Sequence, residues 1–253
     1  MRRWTFLGMG VVAVALCAAV PVRADWIPGQ GAMIIRIDVS SDLGRGVKQF
    51  VFTPDKTPDG SWQWQLPPGQ ENRLVKAGDA VLASIDTLAQ TVAGDPAVSL
   101  AFAVVAGAAD TTFTITSAPV SFAPIVNPLA FATAAVTVTD LNGDGATLSG
   151  LQTGGKAYKA SYNSPIVDWA FLVSAVTAPV NSSNIGTERR PTPSGRETIL
   201  ATVGSIESQF SFTLTARDSA SGTSTFDVII PEPASLLVLG VGCVGLLARR
   251  RSR

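Results

Sequence analysis

The 253-residue chain contains no histidine, and its two cysteines, Cys17 and Cys243, lie in apolar segments near its two ends. Between those segments there is neither thiol nor imidazole. This excludes Ser-His-Asp and Cys-His nucleophilic sites, thiolate zinc sites and every imidazole metal ligand. It also means that the intervening residues fold without a disulfide. Long basic runs are missing as well. Of 19 Lys plus Arg, seven sit near the ends, and residues 25–230 carry 12 Lys plus Arg against 18 Asp plus Glu, a net of −6. A mildly acidic stretch of this kind is a poor partner for nucleic acid or for an anionic membrane surface. The enzymes left by these absences would need paired carboxylates, as in glycoside hydrolysis, or a Ser-Lys pair. Most acidic residues stand beside Gly, Pro or Ser, in turn contexts where capping and solubility account for them. No catalytic residue is therefore assigned, and no enzyme is expected.

At the N-terminal end, Arg2 and Arg3 precede an apolar run through Val20 and then Val22-Arg23-Ala24. That layout predicts a secretory signal peptide over residues 1–24, cut between Ala24 and Asp25. Leu16 stands before Cys17 where a lipoprotein signal needs a small residue, which argues against lipidation. Residues 25–230 then form the extracytoplasmic body, 206 residues and ample for a disulfide-free core.

The body is rich in Gly, Pro, Thr, Ser, Val and Ala, and its apolar residues alternate or fall in short runs bounded by turn residues. This predicts an all-β fold, a β-sandwich-like body with short strands separated by turns. Strands are expected over Met33–Val39, Val47–Thr53, Ala97–Val105, Thr111–Ser117, Ala132–Thr139, Ala146–Leu151, Trp169–Thr177, Thr198–Val203, Phe210–Ala216 and Thr223–Ile230. In Phe210-Ser211-Phe212-Thr213-Leu214-Thr215 the apolar side chains share one face. A turn through Asp218, Ser219 and Gly222 predicts a hairpin with the following strand. Residues 71–90 fit either a helix or two strands broken at Lys76-Ala77-Gly78-Asp79, and the surrounding pattern favours strands. Residues 178–196, rich in Asn, Ser, Thr, Pro and charge, read as an exposed loop.

Two short stretches are candidate sites. Asp140-Leu141-Asn142-Gly143-Asp144-Gly145 has the opening spacing of a calcium loop, with oxygen side chains at Asp140, Asn142 and Asp144. Leu151 stands where an EF-hand needs a bidentate Glu, so the choice is between a weak calcium site and a tight turn. Trp62-Gln63-Trp64-Gln65 places two indoles on one side of a strand, where Trp62 and Trp64 either stack on sugar rings or supply core. Trp169 is expected in the core.

The C-terminal end reads Pro231-Glu232-Pro233, then 15 residues without a charge from Ala234 to Ala248, then Arg249-Arg250-Arg251. As a helix the apolar run would be about 22 Å long, short of the roughly 30 Å of bilayer hydrocarbon unless the arginines snorkel. The prolines hold the backbone extended, as a processing enzyme's cleft requires. In order and content these 23 residues, 231–253, resemble the PEP-CTERM sorting signal of Gram-negative bacteria. The resemblance implies recognition of Pro231, Glu232 and Pro233 by a membrane-embedded exosortase-type enzyme. It implies a transient inner-membrane span over 234–248 and a basic stop at Arg249, Arg250 and Arg251. It further implies association with exopolysaccharide and biofilm. The stretches "GDPAVSLAFAVVAGAADTTFTITSAPVSFAP" and "DSASGTSTFDV" are similar to the bodies of such surface proteins and imply no activity. The expectation is a non-enzymatic exported protein of the cell envelope, cell surface or extracellular matrix. A carbohydrate-binding module for exopolysaccharide is the alternative.

Overall fold

The computed structural model describes residues 33–69, 73–163 and 167–230. The signal peptide with its Ala24–Asp25 junction, the Pro231-Glu232-Pro233 motif, the apolar run 234–248 and Arg249–Arg251 lie outside the described residues. Among the described residues no helix is long and apolar enough to cross a membrane.

The first part of the chain forms β1 (Met33–Ser41), β2 (Gly44–Phe52), β3 (Asp55–Lys56), β4 (Trp62–Gln65), β5 (Leu74–Ala77), β6 (Ala80–Ala93) and β7 (Ala97–Ala106). Next come β8 (Thr111–Thr116), β9 (Val120–Val126), β10 (Leu129–Thr139), β11 (Ala146–Gly150), β12 (Tyr158–Tyr162) and β13 (Val167–Leu172). The last are β14 (Val176–Ala178), β15 (Ser183–Arg190), β16 (Glu197–Thr198), β17 (Thr202–Leu214) and β18 (Ser219–Ile229). They form two antiparallel sheets. In the first the order is β13-β12-β17-β8-β1-β2, with β9 and β11 also paired to β17 and β14 to β11. In the second it is β15-β10-β18-β7-β6-β4-β3, with β16 paired to β10 and β5 to β6.

The two sheets pack face to face as a sandwich because their central strands each bury one largely apolar face. In β7, β8, β10, β17 and β18 nearly every second side chain is buried. Aromatic rings bridge the layers. Phe102 of β7 lies 4.9 Å from Phe210 and 5.7 Å from Phe212 of β17, and Phe212 stacks at 5.4 Å on Phe113 of β8. Trp169 of β13 is buried, as expected, and stacks at 5.3 Å on Phe226 of β18. Gly222 faces this core, and a Cβ there would collide with the Phe102 ring. The missing side chain is what lets Phe102 tuck beneath β18.

Most of the expected strands are present, and residues 74–93 are the two strands β5 and β6, turning at Gly78 with φ 58°. Four expectations are corrected. First, β17 and β18 are not a hairpin. β17 pairs with strands of the first sheet and β18 with β7 and β10 of the second, so the Thr215–Asp218 corner carries the chain between layers. Turn residues announce a reversal but not which sheet the chain rejoins. Second, 199–201 is likewise a crossing, from β16 in one sheet to β17 in the other, and Leu200 is 87% exposed. Third, the run Trp169–Thr177 is broken at Val173, whose φ of 64° ends β13 before β14 begins. Fourth, residues 183–190 are a strand rather than loop. β15 pairs along its length with β10 as an edge strand, held by ladder hydrogen bonds and not by a buried face, so it carries no apolar alternation.

Candidate functional site

The loop 140–145 connects β10 to β11, at the end of the sandwich where the chain also passes from β17 to β18. Asp140 is 6% exposed. One of its carboxylate oxygens accepts the N–H groups of Asn142 (3.2 Å) and Gly143 (2.9 Å), and the other accepts that of Asn181 (2.6 Å). Asn142 donates through Nδ2 to Asp144 (3.0 Å) and to the Ala216 carbonyl (3.2 Å). Folding adds Asp218, fully buried, which accepts the Leu141 N–H (3.2 Å) and the Thr215 hydroxyl. Carboxylate oxygens of Asp140, Asp144 and Asp218 come within 4.8 Å of one another. Such an oxygen-only set suits a hard cation such as calcium. The same oxygens are already engaged by N–H and O–H donors, and these bonds pin three chain crossings into one corner. The sequence marked Asp218 only as a turn residue, because Leu141, its partner in this corner, lies 77 residues away.

The Asn181 N–H, assisted by those of Gly143, Gly145 and Asn142, holds the Asp140 carboxyl below its usual value against the opposing effect of burial. A depressed folded-state pKa favours the folded state wherever the carboxylate is ionised, above about pH 4, and that contribution is lost as pH falls through the folded value. Asp140→Asn is therefore expected to lower the denaturation midpoint near neutral pH, with the gap to the wild type closing in acid. A gap that is constant with pH would contradict this account of the corner.

Trp62 and Trp64 lie on β4 opposite Val92 and Gln90 of β6, both buried, so the indoles share the inner face of the sheet. Trp64 stacks at 4.6 Å on Phe52 and lies 5.6 Å from Phe50. Trp62 has the Lys56 ammonium 5.7 Å from its ring centre. Both indoles are half-buried and packed against the core. The interleaved Gln63 and Gln65 are opposite Thr91 and Ala89 and take the outer face instead.

That outer face of the second sheet is the most distinctive surface of the sandwich. Strand register lines its side chains into three rows. One runs Thr91–Ser99–Thr225–Thr133–Arg189, the next Ala89–Ala101–Thr223–Ala135–Thr187, and the third Thr87–Ala103–Ser221–Thr137–Ile185. Arg189, at the β15 end of the first row, is the one charged side chain in these rows. Between the second and third rows runs a shallow groove of about 340 Å³. Ser99 and Thr225 bond each other at 3.0 Å, but the hydroxyls of Thr87, Thr137, Ser221 and Thr223 have no side-chain partner among the described residues.

The outer face of the first sheet differs in its hydroxyls. Its hydroxyls satisfy one another, Thr112 with Thr213 at 2.9 Å and Thr114 with Ser211 at 3.0 Å, while Gln209 donates to Thr116 at 3.0 Å. Both outer faces carry ion pairs, Arg36–Asp38 and Lys159–Asp168 on the first sheet and Arg196–Asp227, beyond the first row, on the second. Alternation in the sequence shows which side chains of a strand point outward. It does not show that β6, β7, β18 and β10 are neighbours, so the rows were not legible before folding.

No protein-family model matches the chain, and no curated protein matches its sequence. Among solved structures it is similar to TmCBM61 in complex with β-1,4-galactotriose, at 10% identity over 81% of this chain and 91% of that one, with a TM-score of 0.28. It is also similar to the adhesin domain of Epf from Streptococcus pyogenes, at 9% identity over 83% of this chain and 64% of that one, with a TM-score of 0.27. Neither superposition is close enough to bear on function.

Proposed function

We propose that this is an exported, non-enzymatic surface or extracellular-matrix protein, sorted through its C-terminal signal, whose sandwich meets exopolysaccharide through the outer face of the second sheet. Pro231, Glu232 and Pro233 are read by an exosortase-type enzyme while residues 234–248 hold the chain in the inner membrane and Arg249, Arg250 and Arg251 stop it there. Processing then releases the body to the envelope, the cell surface or a biofilm matrix. The observation that supports a polymer-contacting body is the three-row face, whose groove is lined without charge and whose groove hydroxyls have no side-chain partner among the described residues. Hydroxyls that are already solvated exchange water for sugar hydroxyls at little cost, and many weak contacts along one chain add up.

A carbohydrate-binding module is the second reading, favoured by the groove itself, since a bounded site gives saturable binding. Trp62 and Trp64 pack inward, which favours a contact through the sheet face over one through the indoles. The test is co-sedimentation of the native protein with its producer's exopolysaccharide. Thr223→Arg, on the groove, is expected to weaken binding about tenfold, equivalent to about 1.4 kcal/mol. Thr114→Arg, on the opposite sheet, is expected to leave it unchanged. Absence of co-sedimentation, or equal effects of the two substitutions, would sink the reading.

A further inference from the structure

We infer that the polymer fitted by the groove between β6, β7, β18 and β10 is a neutral polysaccharide bearing acetyl groups, and not an acidic one. The inference rests on the proposed polysaccharide contact and adds the chemistry of the ligand.

Charge decides the first half. The groove lining contains no titratable side chain. The cations near one end of the face are committed elsewhere. Arg189 lies over the Phe131 ring and donates to the carbonyls of Pro191 (3.2 Å) and Gly195 (3.4 Å). Arg196 also lies over Phe131 and pairs with Asp227. A uronate or sulfate seated in the groove would lose water without gaining a counter-charge, which is among the costliest things a binding site can impose. At longer range it would approach a body of net charge −6. An uncharged chain meets neither penalty.

The texture of the lining decides the second half. Ala101, Ala103 and Ala135 present methyl groups, and Ile185 at the rim is 61% exposed. Interspersed among them are the hydroxyls of Thr137, Ser221 and Thr223, each able to donate and to accept. A bare hexose offers hydroxyls all round and has little use for this apolar floor. An O-acetyl group offers a methyl for the alanines and a carbonyl for a threonine hydroxyl, and a 6-deoxy sugar offers the methyl alone.

Affinity electrophoresis of the native protein tests this with three defined polymers: O-acetylated glucomannan, the same polymer after mild alkaline deacetylation, and polygalacturonate. The acetylated polymer is expected to retard the protein, its deacetylated form to bind about tenfold more weakly, and polygalacturonate not to bind. Ala135→Arg, whose side chain points out of the sheet into the groove, is expected to abolish retardation by the acetylated polymer while the circular dichroism spectrum stays unchanged. No retardation by the acetylated polymer, equal retardation after deacetylation, or retardation by polygalacturonate would each overturn the inference. The broader polysaccharide reading fails separately, if the producer's own exopolysaccharide does not sediment the protein.

Discussion

Replacing Phe212 with alanine is expected to lower the stability of the body by about 3–5 kcal/mol. Phe212 is fully buried in β17 and lies between two rings, Phe113 of its own sheet at 5.4 Å and Phe102 of the opposing sheet at 5.7 Å. Truncation opens a cavity at the contact between the layers, and two rings lose their stacking partner at once. The strands around it are locked in ladders on both sides, β17 by β8 and β11, so collapse into the space is limited. A domain has about 5–15 kcal/mol in total, so this one substitution removes a large share. Urea denaturation of the purified body measures it. A loss under about 1 kcal/mol would mean that the two sheets are not held together at this cluster.

The second large effect is expected at Gln90, which is 1% exposed on β6. Its Nε2 donates to the Ala118 carbonyl at 3.0 Å, and its Oε1 accepts the Ala118 N–H at 2.8 Å. Ala118 is itself fully buried, between β8 and β9 of the other sheet. The one amide therefore satisfies both backbone groups of a residue that no ladder reaches, and in doing so ties the layers together. Gln90→Ala strands a buried donor and a buried acceptor, at about 1–3 kcal/mol each, for an expected loss of about 2–6 kcal/mol. Gln90→Glu keeps an acceptor for the N–H but, while ionised, sets a carboxylate against the carbonyl. That variant is expected to be least stable near neutral pH and to recover as the carboxyl takes up a proton. A Gln90→Leu protein as stable as the wild type would show that the amide does not carry this bridge.

How much of this was readable beforehand follows from where each residue finds its partners. Period-two alternation located β1, β2, β7, β8 and β10, because each buries one face and the buried side chains are apolar. It could not locate β15, none of whose side chains is buried and whose fit to the sheet lies in backbone pairing with β10. It also could not separate a hairpin from a crossing. The residues of the Thr215–Asp218 corner are ordinary turn formers, and only the pairing of β17 with β8 and of β18 with β7 shows that the chain changes layers there. The candidate sites divide the same way. The Asp140 loop was visible because its residues are adjacent in sequence, whereas Asp218 joins it from another crossing. Trp62 and Trp64 were visible as a pair, but the side they face is set by their register against Gln90 and Val92. The three-row face draws on five strands from Thr87 to Thr225, and no local pattern announces it.

Intact mass spectrometry of the protein recovered from its native producer, from both envelope and growth medium, tests the central claim of export and sorting. The account predicts a chain that starts at Asp25 and ends near Pro231, with any excess mass reporting a group attached during processing. A mass that still includes Arg253 would make the tail a permanent anchor and contradict the account.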